Sequence, residues 1–231
     1  MCAEILASLP RCPLTRFTMQ QRCAVLFLTA MLVALLATPA LAGNEPTGDV
    51  KSLVGRALAV VHSKEMSLAS KRREFRNMAE RHFDLAGMAR DSLEEHWQDL
   101  SAAEQSKFSR AFNSIVADTY LAQIRDYDRE QLQIVSQDLS GANAEVSGSM
   151  LGGNEAAVDL KFKLRDIEGE WKISDYSFNA DSAMRNYRDD FKQAFEKGGF
   201  DSLMARLKAW QAKLDARLMR QPAAAARLKA K

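Results

Sequence analysis

Between residues 101 and 164 the apolar pattern changes its period, and that change constrains the fold more than any other feature of the chain. Phe108, Phe112, Ile115, Val116, Tyr120, Ile124 and Tyr127 recur every three or four residues, which puts them on one face of a helix. Ser101-Ala102-Ala103-Glu104 opens that helix as a capping box. The Ser hydroxyl accepts from the Glu104 backbone N–H, and the Glu side chain reaches back. Glu104, Lys107, Arg110, Asp118 and Arg125 form its expected polar face. The period then falls to two. Ala144, Val146, Gly148 and Met150 alternate with Glu145, Ser147 and Ser149, and Ala156, Val158, Leu160, Phe162 and Leu164 alternate with Asp159, Lys161, Lys163 and Arg165. Strands patterned this way belong to an antiparallel sheet with one covered face, and a helix with an aromatic face can cover it.

The flanking segments complete the layout. Gly152-Gly153-Asn154 and Glu168-Gly169 read as turns, and residues 131–139 as a weaker first strand. In residues 170–179, Trp171 and Ile173 have one parity while Tyr176 and Phe178 have the other, so a β-bulge near Ser174-Asp175 is expected to restore a single inward face. Upstream, Leu53, Ala57, Leu58 and Val61 share a helical face. Met66, Ala69, Arg73, Met78 and Phe83 suggest a second helix. Asp84 can cap a third over residues 85–97, with Leu85, Met88, Ala89, Leu93 and Trp97 inward. After Asp181 comes a stripe of Met184, Tyr187, Phe191, Ala194 and Phe195, stopped by Gly198-Gly199. Asp201 then caps a last helix with Leu203, Leu207, Trp210, Leu214 and Leu218 inward. Helices, then a four-stranded meander, then helices predict an α+β fold with N- and C-terminal helices on one face of an antiparallel sheet.

The N-terminus reads as a secretory signal. Arg22 precedes the apolar run of residues 24–37, and Thr38-Pro39-Ala40-Leu41-Ala42 supplies small residues for cleavage. A signal peptide is expected over residues 1–42, with Met19 as an alternative start. The run is shorter than the roughly 20 residues of a membrane span. Gly43 and Asn44 stand where a lipoprotein would carry Cys. Cleavage would remove Cys2, Cys12 and Cys23, all three cysteines, so the secreted chain could form no disulfide, thiol nucleophile or Cys-ligated zinc site. It would also remove Arg11, Arg16, Arg22 and Glu4 from 32 basic and 30 acidic residues, leaving a balanced charge unsuited to general nucleic-acid binding. No Pro/Gly/Ser-rich stretch divides the remainder, which predicts one domain over residues 43–212 and a basic extension over 213–231. Beyond Gln211, Lys213, Arg217, Arg220, Arg227, Lys229 and Lys231 oppose only Asp215. A segment of that charge is attracted to an anionic membrane surface, so transient surface contact is expected.

The search for chemistry is brief. His62, His82 and His96 have no metal-binding spacing, and there is no nucleophile elbow, phosphate loop or dinucleotide fingerprint. Asp159, Asp166, Asp175 and Asp181 could each serve as a base in an enclosed site, but Asp159 falls on the outward parity of its strand. No catalytic set emerges. The informative feature is the apolar inventory, with Phe112, Val116 and Tyr120 expected to face Val158, Leu160 and Phe162 across the helix–sheet gap. Aromatic stripes usually fill cores, and this favours a closed interior. Ligand cavities use the same residue types, so the pattern alone leaves both open.

Three stretches carry a resemblance. The first is Phe83-Asp84-Leu85-Ala86-Gly87-Met88-Ala89-Arg90 with Leu93 and Trp97. The second is Leu100-Ser101-Ala102-Ala103-Glu104-Gln105 with Phe108, Ala111-Phe112 and Thr119-Tyr120. The third is Gly169-Glu170-Trp171-Lys172-Ile173-Ser174-Asp175, then Asn186-Tyr187-Arg188 with Phe191, then Gly198-Gly199-Phe200-Asp201-Ser202-Leu203 and Arg206-Leu207. In this order they resemble the MlaC, or toluene-tolerance (Ttg2), family of periplasmic phospholipid carriers, over roughly residues 50 to 212. The resemblance implies an NTF2-like or cystatin-like sheet and an apolar lipid pocket between sheet and helices. It implies a non-enzymatic shuttle without a cofactor, whose phospholipid is cargo. Implied partners are an inner-membrane ABC transporter with an MCE-domain subunit and an outer-membrane lipoprotein complex. The residues implied to line the pocket are Phe83, Met88, Leu93, Trp97, Phe112, Val116, Tyr120, Val146, Val158, Leu160, Phe162, Tyr176, Phe178 and Tyr187. A hopanoid as cargo, an NTF2-like periplasmic enzyme and a ligand-free adaptor are the alternatives. The sequence departs from the family at Leu93-Glu94-Glu95-His96 and at Asn179-Ala180-Asp181-Ser182.

Overall fold

The computed structural model describes residues 45–125, 127–152 and 157–220, with the side chains of 127–132 and 151–152 left out. The expected signal peptide, the turn at Gly153-Asn154 and the end of the basic extension lie outside the described residues. Helices α1 (Pro46–His62), α2 (Leu68–His82) and α3 (Leu85–Leu93) lead through a 3-10 turn, Glu94–Trp97, into α4 (Ala102–Ile124). The strands follow as β1 (Tyr127–Ser140), β2 (Asn143–Gly152), β3 (Ala157–Ile167), β4 (Glu170–Phe178) and β5 (Asp181–Ser182), before a long helix α5 (Ala183–Met219). The sheet is an antiparallel meander in the order β1-β2-β3-β4-β5. It therefore has five strands rather than the expected four. The fifth is two residues that pair with Ser177 and Phe178 just before α5 starts.

Local chemistry explains most boundaries. Ser101 accepts from the Glu104 N–H, and Glu104 accepts from the Ser101 N–H at 2.8 Å, completing the capping box of α4. Along β3, Val158, Leu160, Phe162 and Leu164 are buried, while Ala157, Asp159, Lys161 and Lys163 are exposed. The bulge in β4 falls at Ser174: Lys163 pairs with Asp175 and Leu164 with Ile173, leaving Ser174 without a partner residue. Its hydroxyl donates to the Lys163 carbonyl at 3.2 Å. The extra residue corrects the parity, so Ile173, Tyr176 and Phe178 all point inward.

Four expectations need correction. Tyr127, expected at the end of the α4 stripe, opens β1 instead, because α4 stops at Ile124. The helix expected over residues 85–97 stops at Leu93, because Glu94 takes a positive φ of 49° and the chain tightens into the 3-10 turn. Of the stripe expected for α2, Met66, Ala69, Arg73, Met78 and Phe83, only Met78 and Phe83 are buried, and Phe75 and Ala79 take the other inward places; Met66 precedes the helix, whose cap is Ser67. Asp118, expected on the solvent face of α4, is fully buried. The C-terminal stripe is kinked but continuous. Gly198 and Gly199 interrupt α5, and the φ of 60° with ψ of −149° at Gly199 is open essentially to glycine alone. The second limb runs past the expected boundary at 212 to Met219 and buries Leu214 and Leu218.

The link between α2 and α3 is pinned to the sheet. Phe83 bridges Ile173 of β4, and the Asp84 N–H donates to the Ile173 carbonyl at 2.9 Å. Asp84 also caps α3, accepting from Gly87 N–H at 2.8 Å, and pairs with Arg165 of β3 at 3.2 Å. A Cβ at residue 87 would stand 2.0 Å from the Asp84 carboxylate, so the cap requires Gly87. Asp84→Ala should cost about 1–2 kcal/mol, the usual value of a lost N-cap. Urea unfolding should register it as a lower midpoint with an unchanged slope.

Candidate functional site

The inward side chains of α4 do not all meet the same layer. Tyr120 packs on the sheet side, 5.5 Å from the Tyr176 ring of β4 and 5.8 Å from Phe83. Phe83 in turn stands edge-on to Tyr176 at 5.9 Å, and Tyr176 to Phe178 at 6.2 Å. Two turns earlier, Phe112 packs instead on α5, with its ring 5.2 Å from Tyr187 and 6.0 Å from Phe191. The α4 stripe expected to lie on the sheet is thus divided between sheet and α5. Val116 sits between, fully buried.

The residues proposed to line a pocket all join one apolar cluster. Met88 and Leu93 from α3, Val146 from β2 and Val158, Leu160 and Phe162 from β3 are buried in it, and Trp97 packs half-exposed against it. Trp97 stands edge-on to Phe108, with ring centroids 6.3 Å apart. Phe75, Phe108, Phe191 and Ile173 belong to the same cluster and were not among the expected lining residues. Phe108, Phe191 and Ile173 already stood in the inward stripes, whereas Phe75 was hidden by the shifted reading of α2. Ring-to-ring contacts link α4 to α5 and to the sheet. Of the expected lining residues, only Leu160 and Trp97 reach any of five surface clefts. One of these, about 640 Å³, runs between the two limbs of α5 beside the Arg206–Asp190 ion pair, and another, about 790 Å³, lies on the outward face of the sheet.

The apolar interior has a polar defect. The hydroxyls of Tyr120, Tyr176 and Tyr187 are buried without a hydrogen-bond partner among the described residues, as is that of Thr119. Thr119 and Tyr176 stand close enough to the Tyr187 hydroxyl to affect its ionisation, yet the four hydroxyls close no bond of good geometry. Burial pushes the Tyr187 phenol up to about 12 and the other two upward as well, so all three remain neutral O–H donors. Each unmet group costs about 1–3 kcal/mol. Native interiors keep few such groups without a ligand, water or functional reason.

The buried charge lies elsewhere. Asp118 of α4 receives both the Arg72 guanidinium of α2 and the Gln211 amide of α5, the latter at 2.7 Å. Arg72 also reaches Asp215 at 2.9 Å. This group ties three helices together. Asp175 is likewise committed, accepting from Ser182 Oγ at 2.8 Å and Met184 N–H at 3.1 Å. Among the described residues no group of His, Cys, Asp or Glu could hold a metal ion, and no helix is long and apolar enough to cross a membrane.

Comparison with known proteins places this arrangement. The family model described as MlaC protein matches residues 51–209. The chain belongs to the MlaC family. Its curated relatives are distant. It is 22% identical over 120 residues to the toluene tolerance protein ttg2D of Pseudomonas putida, covering 51% of this chain and 56% of that protein. It is 24% identical over 121 residues to the intermembrane phospholipid transport system binding protein MlaC of Haemophilus influenzae, covering 50% and 56%. The match thus spans little more than half the length of either relative. The MlaC fold is also shared with a phospholipid-binding protein from Ralstonia solanacearum, solved in complex with a phospholipid. The TM-score is 0.62 at 17% identity, over 72% of this chain and 97% of that one.

Proposed function

We propose that this protein is a periplasmic carrier that holds phospholipid acyl chains between α4, α5 and the inner face of the sheet, and passes the lipid between outer- and inner-membrane complexes. The observation that carries the proposal is the single buried apolar surface built by α3, α4, α5 and strands β2 to β4, in a fold whose solved relative holds a phospholipid. The lining residues are those named from the sequence, joined by Phe75, Phe108, Phe191 and Ile173. Because the rings touch, entry requires the sheet to part from α4 and α5. Each buried CH₂ contributes about 0.8 kcal/mol, so two long chains supply on the order of 20 kcal/mol before the cost of opening. Unaided loss to water would be slow, and release would fall to a partner that holds the gap open. The proposed partners are an ABC transporter with an MCE-domain subunit and an outer-membrane lipoprotein complex. Brief contact of the basic extension with anionic head groups would assist docking.

The ring-to-ring contacts favour a second reading, a periplasmic adaptor with a filled core and no cargo. Solvent extraction of the chain purified from the periplasm, followed by lipid mass spectrometry, separates the two. The carrier reading expects phospholipid in stoichiometric amount. A lipid-free extract, with no uptake after incubation with phosphatidylglycerol vesicles, would leave the adaptor.

A further inference from the structure

The unpartnered hydroxyls identify which part of the cargo lies beside them, an inference that rests on the phospholipid reading above. Tyr176 on β4, Tyr187 on the first turns of α5 and Thr119 on α4 bring three hydroxyl oxygens into one buried region. Phenylalanine at 176 or 187 would fill the same space without a buried oxygen, so apolar packing alone does not account for these hydroxyls. Their chemistry limits what they can receive. They are neutral donors, and the nearby carboxylate of Asp175 is already occupied by Ser182 Oγ and the Met184 N–H. A phosphate or an ammonium group buried here would lose its hydration without gaining a counter-charge. A hydrocarbon chain accepts nothing. The neutral acceptor that every diacyl phospholipid carries next to its chains is the ester carbonyl that joins each chain to glycerol.

Position agrees with chemistry. Tyr176 follows Asp175 directly on β4, and the Asp175 carboxylate accepts from the Met184 N–H at the start of α5, three residues before Tyr187. Asp175 also lines the outer cleft with Ser182 and Arg185, at the start of α5. Tyr176 itself points to the opposite, inner face of β4, so the hydroxyls face the interior in which the acyl chains are proposed to lie. We infer that Tyr176 and Tyr187, with Thr119, donate hydrogen bonds to an ester carbonyl of the bound lipid, so that the carrier selects ester-linked over ether-linked glycerolipids. The hydroxyls are unmet in the closed state and satisfied in the loaded one.

The test offers delipidated protein an equimolar mixture of dioleoyl phosphatidylglycerol and its dialkyl ether analogue, and reads the bound species by native mass spectrometry. Wild type should take about ten-fold more diester, the effect of one to two net hydrogen bonds. In Tyr176→Phe/Tyr187→Phe the diester should fall to the level of the diether. The lipid-free double variant should melt no lower than wild type, which keeps loss of folding out of the comparison. No preference in wild type, or a preference that the double variant retains, would overturn the inference while leaving the carrier function standing. Failure of wild type to bind either lipid would overturn both.

Discussion

Arg72→Met should cost the fold about 3–5 kcal/mol, the largest loss expected from any single charge removal. Asp118 is wholly buried, and without Arg72 it keeps only the Gln211 amide as a described partner. A carboxylate so placed has lost its hydration and its counter-ion together. Removing the other partner should do less harm. In Asp118→Leu the guanidinium retains Asp215 and is itself partly exposed. The paired variant Arg72→Met/Asp118→Leu should recover most of the stability, because well-packed apolar residues often replace a buried ion pair at little cost. Denaturant midpoints of the three variants check the order. Equal losses in both single variants, with no recovery in the pair, would mean the group does not act as a unit.

Phe112→Ala should destabilise the lipid-free protein by a further instance of the same magnitude, about 3–5 kcal/mol, for a different reason. The ring is fully buried and touches Phe108, Tyr187 and Phe191. Its removal opens an apolar void at the divide where α4 turns from α5 to the sheet. In the loaded protein an acyl chain can occupy part of that void. The loss measured with phosphatidylglycerol bound should therefore be clearly smaller than the loss measured without it. Thermal melts with and without lipid give both values. Identical losses in the two states would place Phe112 away from the chains.

What could be read from sequence follows from the range of the interactions involved. The capping box at Ser101 and the cap at Asp84 act within a single turn, so their residues announce them. The burial of Val158, Leu160 and Phe162 follows from alternation within one strand. The bulge at Ser174 was legible because a parity break between Ile173 and Tyr176 has few remedies. Asp118 was not legible. Periodicity assigns a charged residue to solvent, and the partner that makes burial tolerable lies 46 residues away on another helix. The division of the α4 stripe was hidden for a related reason. A helical face records that something covers it, and not that Phe112 meets α5 while Tyr120 meets β4. The unmet hydroxyls lie further still from sequence reasoning, since they arise only once three elements are assembled. The choice between closed core and pocket was left open by composition. Membership of the MlaC family supports the pocket that the resemblance implied.

The central claim is that acyl chains enter between α4 and the sheet. Photo-crosslinking tests it most directly, with a phosphatidylglycerol that carries a diazirine at the end of one chain. After loading and irradiation, the account predicts label on peptides that contain Val116, Leu160, Phe162 or Phe191, with little on the outward face of the sheet. Label confined to the surface cleft between the limbs of α5, around Arg206 and Trp210, with the interior peptides clean, would contradict it.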